Sequence, residues 1–467
     1  MAGGPPTGLH GWLHSRQDPV RAHLLSSGPP DLDTVFSLFP RTAGDPALEH
    51  CSFDPDAVAA RVAQLRTDPA VNTGHPLLDL SVRTGLAHID LTLEHCSFVG
   101  DHPRYGAKSY AAEEHDGFPP TIIAAVDALS AWGLGGRAAQ LLTYWLRRFV
   151  RGDGTINYYG ASISEYGQLL HTAALVAQRA RPDHWWRDCS PPLSRIAAHL
   201  LKHCFLQLLD DALSPGSPEA DTRDQVGKYF HNNAWVARGL RRWADLGTLF
   251  LCVGLGASPS PASRGVQTAA GVLKHCFLKH CFLARDLKHC FTLSAIKRTW
   301  PRDPDDWWLP PKERCSKVEP EPHPAHLTDG AFASYTNYRY WPELLSSGLL
   351  PPDLANRLVG ARLSAGGQFC GMTRFFGHLD DWPLADYLKH CFLFALWSLG
   401  RREDFLLSLY GHLSYHQAEG HLTAYEQVSF PPGREVTPYC LPCQLVPART
   451  ARLLGALLLG ALLLVAA

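Results

Sequence analysis

The chain has 467 residues, a length that allows either two or three domains or one large barrel. Hydrophobic residues make up 46% and charged residues 19%, which is an ordinary balance for a globular protein and excludes a disordered or fibrous chain. The 43 Lys and Arg nearly cancel the 44 Asp and Glu, so no net field recruits a nucleic acid or an anionic membrane surface.

The two ends of the chain predict no cleaved leader and no clear membrane anchor. Residues 1–19 contain no apolar run, so we expect no signal peptide and a cytoplasmic, reducing compartment. The 13 Cys do not contradict a reducing compartment, because their number is odd and most lie in segments predicted as helices. Residues 453–467 are uncharged but shorter than the roughly 20 residues that span a bilayer. We interpret them as an apolar tail of the last helix, with a tail anchor as the alternative.

Apolar residues at helical spacing predict a long series of helices from residue 54 onward. The predicted helices span 54–67, 120–132, 137–150, 164–180, 191–209, 224–250, 266–296, 328–345, 352–364, 383–399, 402–419 and 438–464. Residues 70–117 are predicted as loop and short strand, and no Val/Ile-rich ladder of strands competes with the helices. Asp153-Gly154 is first of all a turn signal.

This alternation of helices and loops predicts an all-α fold, a toroid of helical hairpins. Inner helices would surround a central cleft and outer helices would wrap them. No linker divides the series. We therefore expect an N-terminal extension (1–55), one catalytic barrel (56–454) and an apolar C-terminal tail (455–467).

A short block containing His and Cys recurs without a regular period. LKHCFL, LKHCF or LEHCSF occurs at 48–53, 93–98, 201–206, 273–278, 278–283, 287–291 and 388–393. The irregular spacing excludes a solenoid. We interpret the copies as helix filler with Leu, Phe and Cys inward and Lys outward. Zinc ligation by adjacent His and Cys is one alternative, and an oddity of the sequence itself is another.

Carboxylates lie on loops beside small or aromatic residues, as the hydrolysis of a sugar bond requires. One acid must protonate the leaving oxygen, and a second carboxylate must activate water or attack the sugar. Candidates occur in 113–117, 216–224 and 419–434. They are Glu113, Glu114, Asp116, Glu219, Asp221 and Glu426. A solvated acidic N-cap explains the first group equally well, and a plain loop with Asp224 as N-cap is the alternative for the second.

Aromatic rings beside charged groups predict the walls of a sugar-binding cleft. Rings stack on sugars, and Arg or Asp makes paired contacts to hydroxyls. These candidates are Trp235, Arg339, Trp341, Arg374, Asp380, Asp381, Trp382 and Gln427. A capped helix start with a buried ring is the alternative for each aromatic group. Cys440-Leu-Pro-Cys443 is a weak zinc or redox signal, because no second pair with ligand spacing is close, and we interpret it as two buried thiols. Two carboxylates suffice for the reaction, so we expect no metal and no organic cofactor.

From about residue 110 to 454 the chain resembles the six-hairpin glycosidases, the (α/α)6 barrels of the glucoamylase and α-L-rhamnosidase type. AAEEHDGF (111–118) is similar to the loop that contacts the innermost sugar, and SPEAD (217–221) occupies the place of the loop with the general acid. Glu426-Gln427 is similar to the late Glu-Gln that carries the general base. The resemblance implies an inverting glycosidase that acts on an oligo- or polysaccharide.

Two departures keep alternatives open. Pro218, where the family has Trp, precedes Glu219, so the acid is Glu219 or Asp221, with Glu113 or Glu114 as a further possibility. The segment 253–327 is also longer than a barrel connection needs. A non-catalytic carbohydrate-binding toroid would keep the rings and lack the carboxylate pair.

A sugar epimerase or lyase on the same toroid would place His or Tyr at its centre. The candidates for that role are His231, His378 and Tyr425. The discriminating observation is whether Glu219 or Asp221 faces Glu426 across one open cleft.

Overall fold

The computed structural model describes the central part of the chain with gaps. The described residues are 76–93, 118–158, 163–180, 185–208, 213–219, 226–254, 309, 336–369, 371–374, 383–385, 389–416, 427–429 and 437–439. The predicted extension 1–55, the predicted helices 54–67 and 266–296, the pair Cys440 and Cys443, and the tail 455–467 lie outside these residues.

The described residues are mainly helical, which confirms the predicted all-α class. The helices are α1 (Pro76–Leu93), α2 (Pro119–Ala131), α3 (Gly135–Phe149), α4 (Ile163–Ala180), α5 (Trp185–Leu208), α6 (Phe230–Gly254), a π-helix (Thr336–Tyr340), α7 (Trp341–Ser346), α8 (Pro352–Ser364), α9 (Lys389–Ser398) and α10 (Arg402–Tyr415). None of the described helices combines the length and hydropathy needed to cross a bilayer.

The helices form two layers, as a toroid of hairpins requires. In the inner layer, α2 packs against α4, α4 against α6, α6 against α7, and α7 against α9. In the outer layer, α3 packs against α5, and both contact α4. Helix α10 likewise packs against α9. Inner and outer helices alternate along this part of the chain, which is the order that helical hairpins produce.

Hydrophobic patterning explains which helices lie inside. Helix α2 is buried almost all round, as expected of a helix enclosed by neighbours. Helix α3 buries one face and places Arg147 and Arg148 in its last turn, where cations complement the helix dipole. The apolar residues on its buried face recur at helical spacing: Ala138, Leu142, Trp145, Leu146 and Phe149.

Two inner helices meet backbone to backbone. A Cβ added at Gly167 of α4 would lie 2.2 Å from the carbonyl oxygen of Trp235 on α6, and one added at Gly239 would lie 2.1 Å from the carbonyl oxygen of Gly167. Only glycine fits at such an approach. The contact brings the N-terminal turns of α4 and α6 together, at the end where the candidate site lies.

Five short strands form an antiparallel sheet that the sequence analysis did not predict. They are β1 (Gln368–Phe369), β2 (Met372–Arg374), β3 (Pro383–Ala385), β4 (Gln427–Ser429) and β5 (Thr437–Tyr439), paired in chain order. Gly371, with φ of 76°, makes the tight turn between β1 and β2. Strands of two or three residues carry no alternating pattern, so they have no sequence signature.

Two predicted helix starts were wrong. The predicted helix 383–399 begins as β3, and α9 starts only at Lys389. Residues 437–439 of the predicted last helix form β5 instead, where Pro438 pairs with Val428. Prolines occupy the outermost strand and the first position of a strand without loss, because they need not donate a hydrogen bond there. The prolines that were interpreted as helix starts are therefore strand residues.

Further differences concern α1, α5 and α6. Residues 76–93 form α1, although they were predicted as loop and short strand. Helix α5 begins before Pro191 and Pro192, which lie inside it, and α6 begins at Phe230. The turn at Asp153-Gly154 was predicted correctly: Asp153 Oδ1 accepts from the backbone N–H of Thr155, and Gly154 has φ of 86°.

Two of the His-Cys blocks lie in described helices and pack as helix filler. In α5, Leu201 is buried and Lys202 is exposed. In α9, Cys391, Phe392 and Leu393 are all buried. The interpretation of Leu, Phe and Cys as inward residues is confirmed for Leu201, Cys391, Phe392 and Leu393. The other copies lie outside the described residues.

Replacing Gly239 by Ala tests the close contact between α4 and α6. The added Cβ would overlap backbone atoms that cannot move as a side chain can, so we expect a loss of roughly 1–3 kcal/mol or more in the free energy of unfolding. Gly360 is the matched control, because it also lies inside a helix but an added Cβ would meet nothing within 4 Å. Gly360→Ala is expected to gain about 0.5–1 kcal/mol from higher helix propensity. Urea unfolding measures both, and equal effects would contradict the packing argument.

Candidate functional site

A loop is clamped to the first turn of α6 at the end of the toroid where α4 and α6 begin. In this loop (213–219), the backbone N–H of Ser214 donates to Asn233 Oδ1 at 2.8 Å, and Asn233 Nδ2 donates to the Ser214 carbonyl at 3.0 Å. Asn232 Nδ2 donates to the carbonyl of Ser217 at 2.7 Å. All four residues are buried. Side chains of one helical turn thus satisfy the polar groups of a buried loop.

His231 holds the same loop one residue further on. Its Nε2 lies 2.9 Å from the carbonyl oxygen of Pro218, the residue before Glu219. A carbonyl oxygen only accepts, so Nε2 carries the hydrogen and donates it. The ring is fully buried, and burial lowers the pKa of His231 to about 4 against smaller opposing effects of Glu343 and the Pro218 carbonyl. The imidazole is therefore neutral at neutral pH.

Arg339 lies at the centre of a cluster of three carboxylates. Its Nη2 lies 2.8 Å from Glu165 Oε1 and 3.2 Å from Glu343 Oε1, and its Nη1 lies 3.2 Å from Glu219 Oε2. We call these four residues the Arg339 cluster. They come from the start of α4, the loop 213–219, the π-helix and the first turn of α7. One guanidinium thus joins four segments of the chain.

The three carboxylates differ in their access to solvent. The side chains of Glu165 and Glu343 are 2% and 3% exposed, whereas that of Glu219 is 16% exposed. One guanidinium faces all three carboxyl groups. Glu219 is the member that reaches solvent, so it is the carboxyl group of the cluster that can contact a ligand.

Aromatic rings pack around the cluster instead of lining an open cleft. Trp235 donates from Nε1 to the carbonyl of Glu343 at 3.0 Å, and Trp341 donates to the carbonyl of Leu309 at 3.0 Å. Trp235 is 8% exposed and Trp341 is 1% exposed. The structure thus places both rings in the core, as the buried-ring alternative expects. Arg339 is 1% exposed and lies beneath the site, where its donors go to carboxylates.

The five-stranded sheet connects the later candidate residues to the cluster. Strand β2 contacts the π-helix that carries Arg339. Arg374 ends β2 and stacks over the ring of Phe369 at 5.5 Å, and its partial burial lowers its pKa. Gln427 begins β4, which is separated from β2 only by β3. Strand β4, which begins with Gln427, therefore belongs to the same sheet as the strand that contacts the π-helix.

The other candidate residues lie outside the described residues. They are Glu113, Glu114, Asp116, Asp221, His378, Asp380, Asp381, Trp382, Tyr425 and Glu426. The facing of Glu219 and Glu426 across one cleft stays a prediction. Within the part of the chain that the structure describes, no group of three or more His, Cys, Asp or Glu is arranged to hold a metal ion.

Sequence reasoning missed two members of the cluster and the role of the α6 start. Glu343 lies four residues after Arg339, a helical spacing that permits an ion pair, so this partner could have been found. Glu165 lies 174 positions before Arg339, and no local pattern marks it. His231 was considered only as a reacting group, and its complete burial argues against direct contact with a substrate.

A small cavity lies among the inner helices beyond the ring of Trp235. It has a volume of about 30 Å³, which is room for two or three water molecules. Its polar lining includes Asp127, His171, Thr172 and Arg238. The cavity is too small for a sugar, so it is not the cleft that the sequence analysis predicts.

The fold is similar to that of solved glycosidases. A glycosidase variant in complex with glucose aligns with a TM-score of 0.50 over 82% of this chain and 98% of that chain, at 13% identity. A second glycosidase variant aligns with the same values. These similarities confirm the predicted fold, the toroid of helical hairpins, and they show the fold alone.

A rhamnosidase from Klebsiella oxytoca with rhamnose bound also aligns with the chain. The TM-score is 0.48 at 12% identity, over 83% of this chain, and the chain spans 66% of the length of that rhamnosidase. No protein-family model matches the sequence, and no curated protein matches it by sequence.

Replacing Arg339 by Met tests whether the cluster depends on its one cation. Without the guanidinium, three carboxyl groups would share a buried site, so we expect a loss of about 3–5 kcal/mol in the free energy of unfolding. Arg147→Met is the matched control, because Arg147 also makes a 2.8 Å ion pair, with Asp188, but both side chains are more than half exposed. That control should cost at most about 1 kcal/mol. Denaturant unfolding decides, and similar losses would contradict the assigned role.

Titration of His231 should make the stability of the fold depend on pH. Its pKa is 6.5 in the unfolded chain and about 4 in the fold, so the unfolded state binds a proton first as the pH falls. The contribution of neutral His231 to the free energy of unfolding is complete above about pH 6.5 and is lost between pH 6.5 and 4. The loss is on the order of 3 kcal/mol. Unfolding of wild type and His231→Gln across this range measures it. Parallel curves for the two proteins would show that His231 is not responsible.

Proposed function

We propose that this chain is a glycoside hydrolase that cleaves the bonds of an oligo- or polysaccharide with inversion, using Glu219 as the general acid and Glu426 as the general base. The observation that carries the proposal is the position of Glu219. It is the solvent-reaching carboxyl group of a buried cluster, and it lies directly after Pro218, which His231 holds. The fold similarity to glycosidases supports the reaction class.

The position of Arg339 suits an acid that must give up its proton during the reaction. When Glu219 protonates the leaving oxygen, it becomes an anion 3.2 Å from the guanidinium. A charge that is already in place stabilises this anion without rearrangement. The same guanidinium is shared with Glu165 and Glu343, so its charge is partly compensated before the transfer.

Glu426 completes the reaction by activating a water molecule. It immediately precedes Gln427 of β4, in the sheet whose β2 contacts the π-helix of Arg339. In an inverting enzyme the two carboxyl groups stand roughly 6.5–9.5 Å apart, which leaves room for the water between base and sugar. Asp221, two residues after Glu219, is the alternative acid. Arg374 supplies a cation on the sheet side for contacts to hydroxyl groups.

The two rival functions make different demands on the same residues. A carbohydrate-binding toroid without activity would need Glu219 only as a hydrogen-bonding group. An epimerase or lyase would need a reactive His or Tyr in contact with the sugar. His231 does not meet this need, because it is fully buried and its Nε2 is directed at Pro218.

Changing the leaving group tests the acid directly. We expect Glu219→Gln to lose about 10²–10⁴-fold in kcat/KM on glycosides with a poor leaving group, because the leaving oxygen is no longer protonated. With a dinitrophenyl leaving group, which departs without a proton, most of this loss should disappear. Glu426→Gln should stay impaired on both substrates. A panel of aryl glycosides that differ in sugar and anomer comes first, because it identifies a cleaved substrate.

Asp221→Asn is the matched control, since it makes the same chemical change two residues away. If Asp221→Asn shows the leaving-group dependence and Glu219→Gln does not, the acid is Asp221. NMR identifies which anomer of the product is released first, and this anomer distinguishes inversion from retention. No turnover of any glycoside by wild type, together with saturable sugar binding, would replace the hydrolase by the binding toroid.

A further inference from the structure

We infer that His231 is a positioning residue for Glu219, which it orients through the main chain of Pro218. The inference rests on the proposed function, in which Glu219 is the general acid. His231 is fully buried and touches no substrate, so its effect on the reaction must pass through Glu219.

The hydrogen bond of His231 acts on the peptide unit that leads into Glu219. The carbonyl of Pro218 and the Cα of Glu219 lie in one rigid plane, because the peptide bond is planar. The proline ring fixes φ of Pro218, so rotation about its Cα–C bond is the one backbone torsion left between the ring and that carbonyl. A donor 2.9 Å from the Pro218 oxygen therefore holds the peptide plane to which the Cα of Glu219 belongs, and with it the point from which the Glu219 side chain leaves the backbone.

The other end of Glu219 is set by Arg339, and His231 is coupled to that end as well. The His231 ring stacks on Tyr340, the neighbour of Arg339, with ring centres 5.1 Å apart and an angle of 20° between the planes. Its Nε2 also lies 3.8 Å from Glu343 Oε2, whose carboxylate binds Arg339. One neutral ring thus lies between the backbone before the acid and the cation beside it.

The neighbouring Asn233 shows why this role is separate from fixing the loop in general. Asn233 makes two hydrogen bonds to Ser214, five residues before Glu219. These bonds hold the entry of the loop, and several single bonds of the backbone can still rotate between them and Glu219. Loss of Asn233 should therefore weaken the loop without turning the acid as directly as loss of His231 does.

Two replacements of nearly equal shape isolate the donated hydrogen bond. His231→Gln keeps an N–H donor at about the reach of Nε2, whereas His231→Met has the same length and no donor. We expect the Met variant to lose 10–100-fold in kcat with KM within about twofold of wild type, since a misplacement of 1 Å costs on the order of 10²-fold. The Gln variant should recover most of this loss. Asn233→Ala, which removes a different anchor of the same loop, should keep kcat within about threefold of wild type at a temperature where all variants are folded.

Three results would overturn the inference: a Met variant with the kcat of wild type, a Gln variant as slow as the Met variant, or an Asn233→Ala variant as slow as the Met variant. Should the Met variant fail to fold, His231→Asn replaces it, because its shorter amide does not reach Pro218. If wild type hydrolyses no glycoside, the proposed function fails by itself. Crystal structures of wild type and the donor-free variant then decide on positioning, which is overturned if the 3.2 Å contact between Glu219 and Arg339 is unchanged.

Discussion

The burial of one guanidinium is the constraint on which the rest of this site depends. A cation removed from water is tolerated only when charged partners and hydrogen bonds replace the solvent. Arg339 obtains these partners from Glu165, Glu219 and Glu343, which belong to three other segments. If one segment moves away, its charge no longer compensates the buried charges of the others. Such a cluster adds little net stability compared with an apolar core, but it specifies how the segments meet.

The helix contact at Gly167 and Gly239 makes this meeting possible. The backbones of α4 and α6 touch there, which places the first turn of each helix beside the other. Glu165 lies two residues before Gly167, and His231 lies four residues before Trp235. A larger residue at either glycine would separate the acid that binds Arg339 from the ring that holds Pro218. The packing of the two helices in the core therefore determines the geometry of the polar site.

The sequence predicted the features that depend on repetition and missed those that depend on distance. Helical periodicity predicted most helices and, with the loops, the all-α toroid, because burial of one face repeats every three or four residues. Order along the chain made Glu219 the preferred candidate for the acid, and this role stays a prediction. Glu165 was beyond reach, because it binds a partner 174 positions away. The strands were missed because a pair such as Gln368–Phe369 is stabilised by its neighbours and has no pattern of its own.

The π-helix limits where this chain can gain or lose a residue. Thr336–Tyr340 is wound with five-residue hydrogen bonding and passes without a break into α7. Each residue of an ordinary helix turns the chain by about 100°, so removal of one residue there would turn the preceding side chains away from α7 by about a quarter of a circle or more. The wide π-turn thus fixes the rotational position of Arg339 relative to the residues of α7. Substitutions can be absorbed locally in this stretch, whereas an insertion or deletion would uncouple Arg339 from Glu343 while both residues remained in the chain.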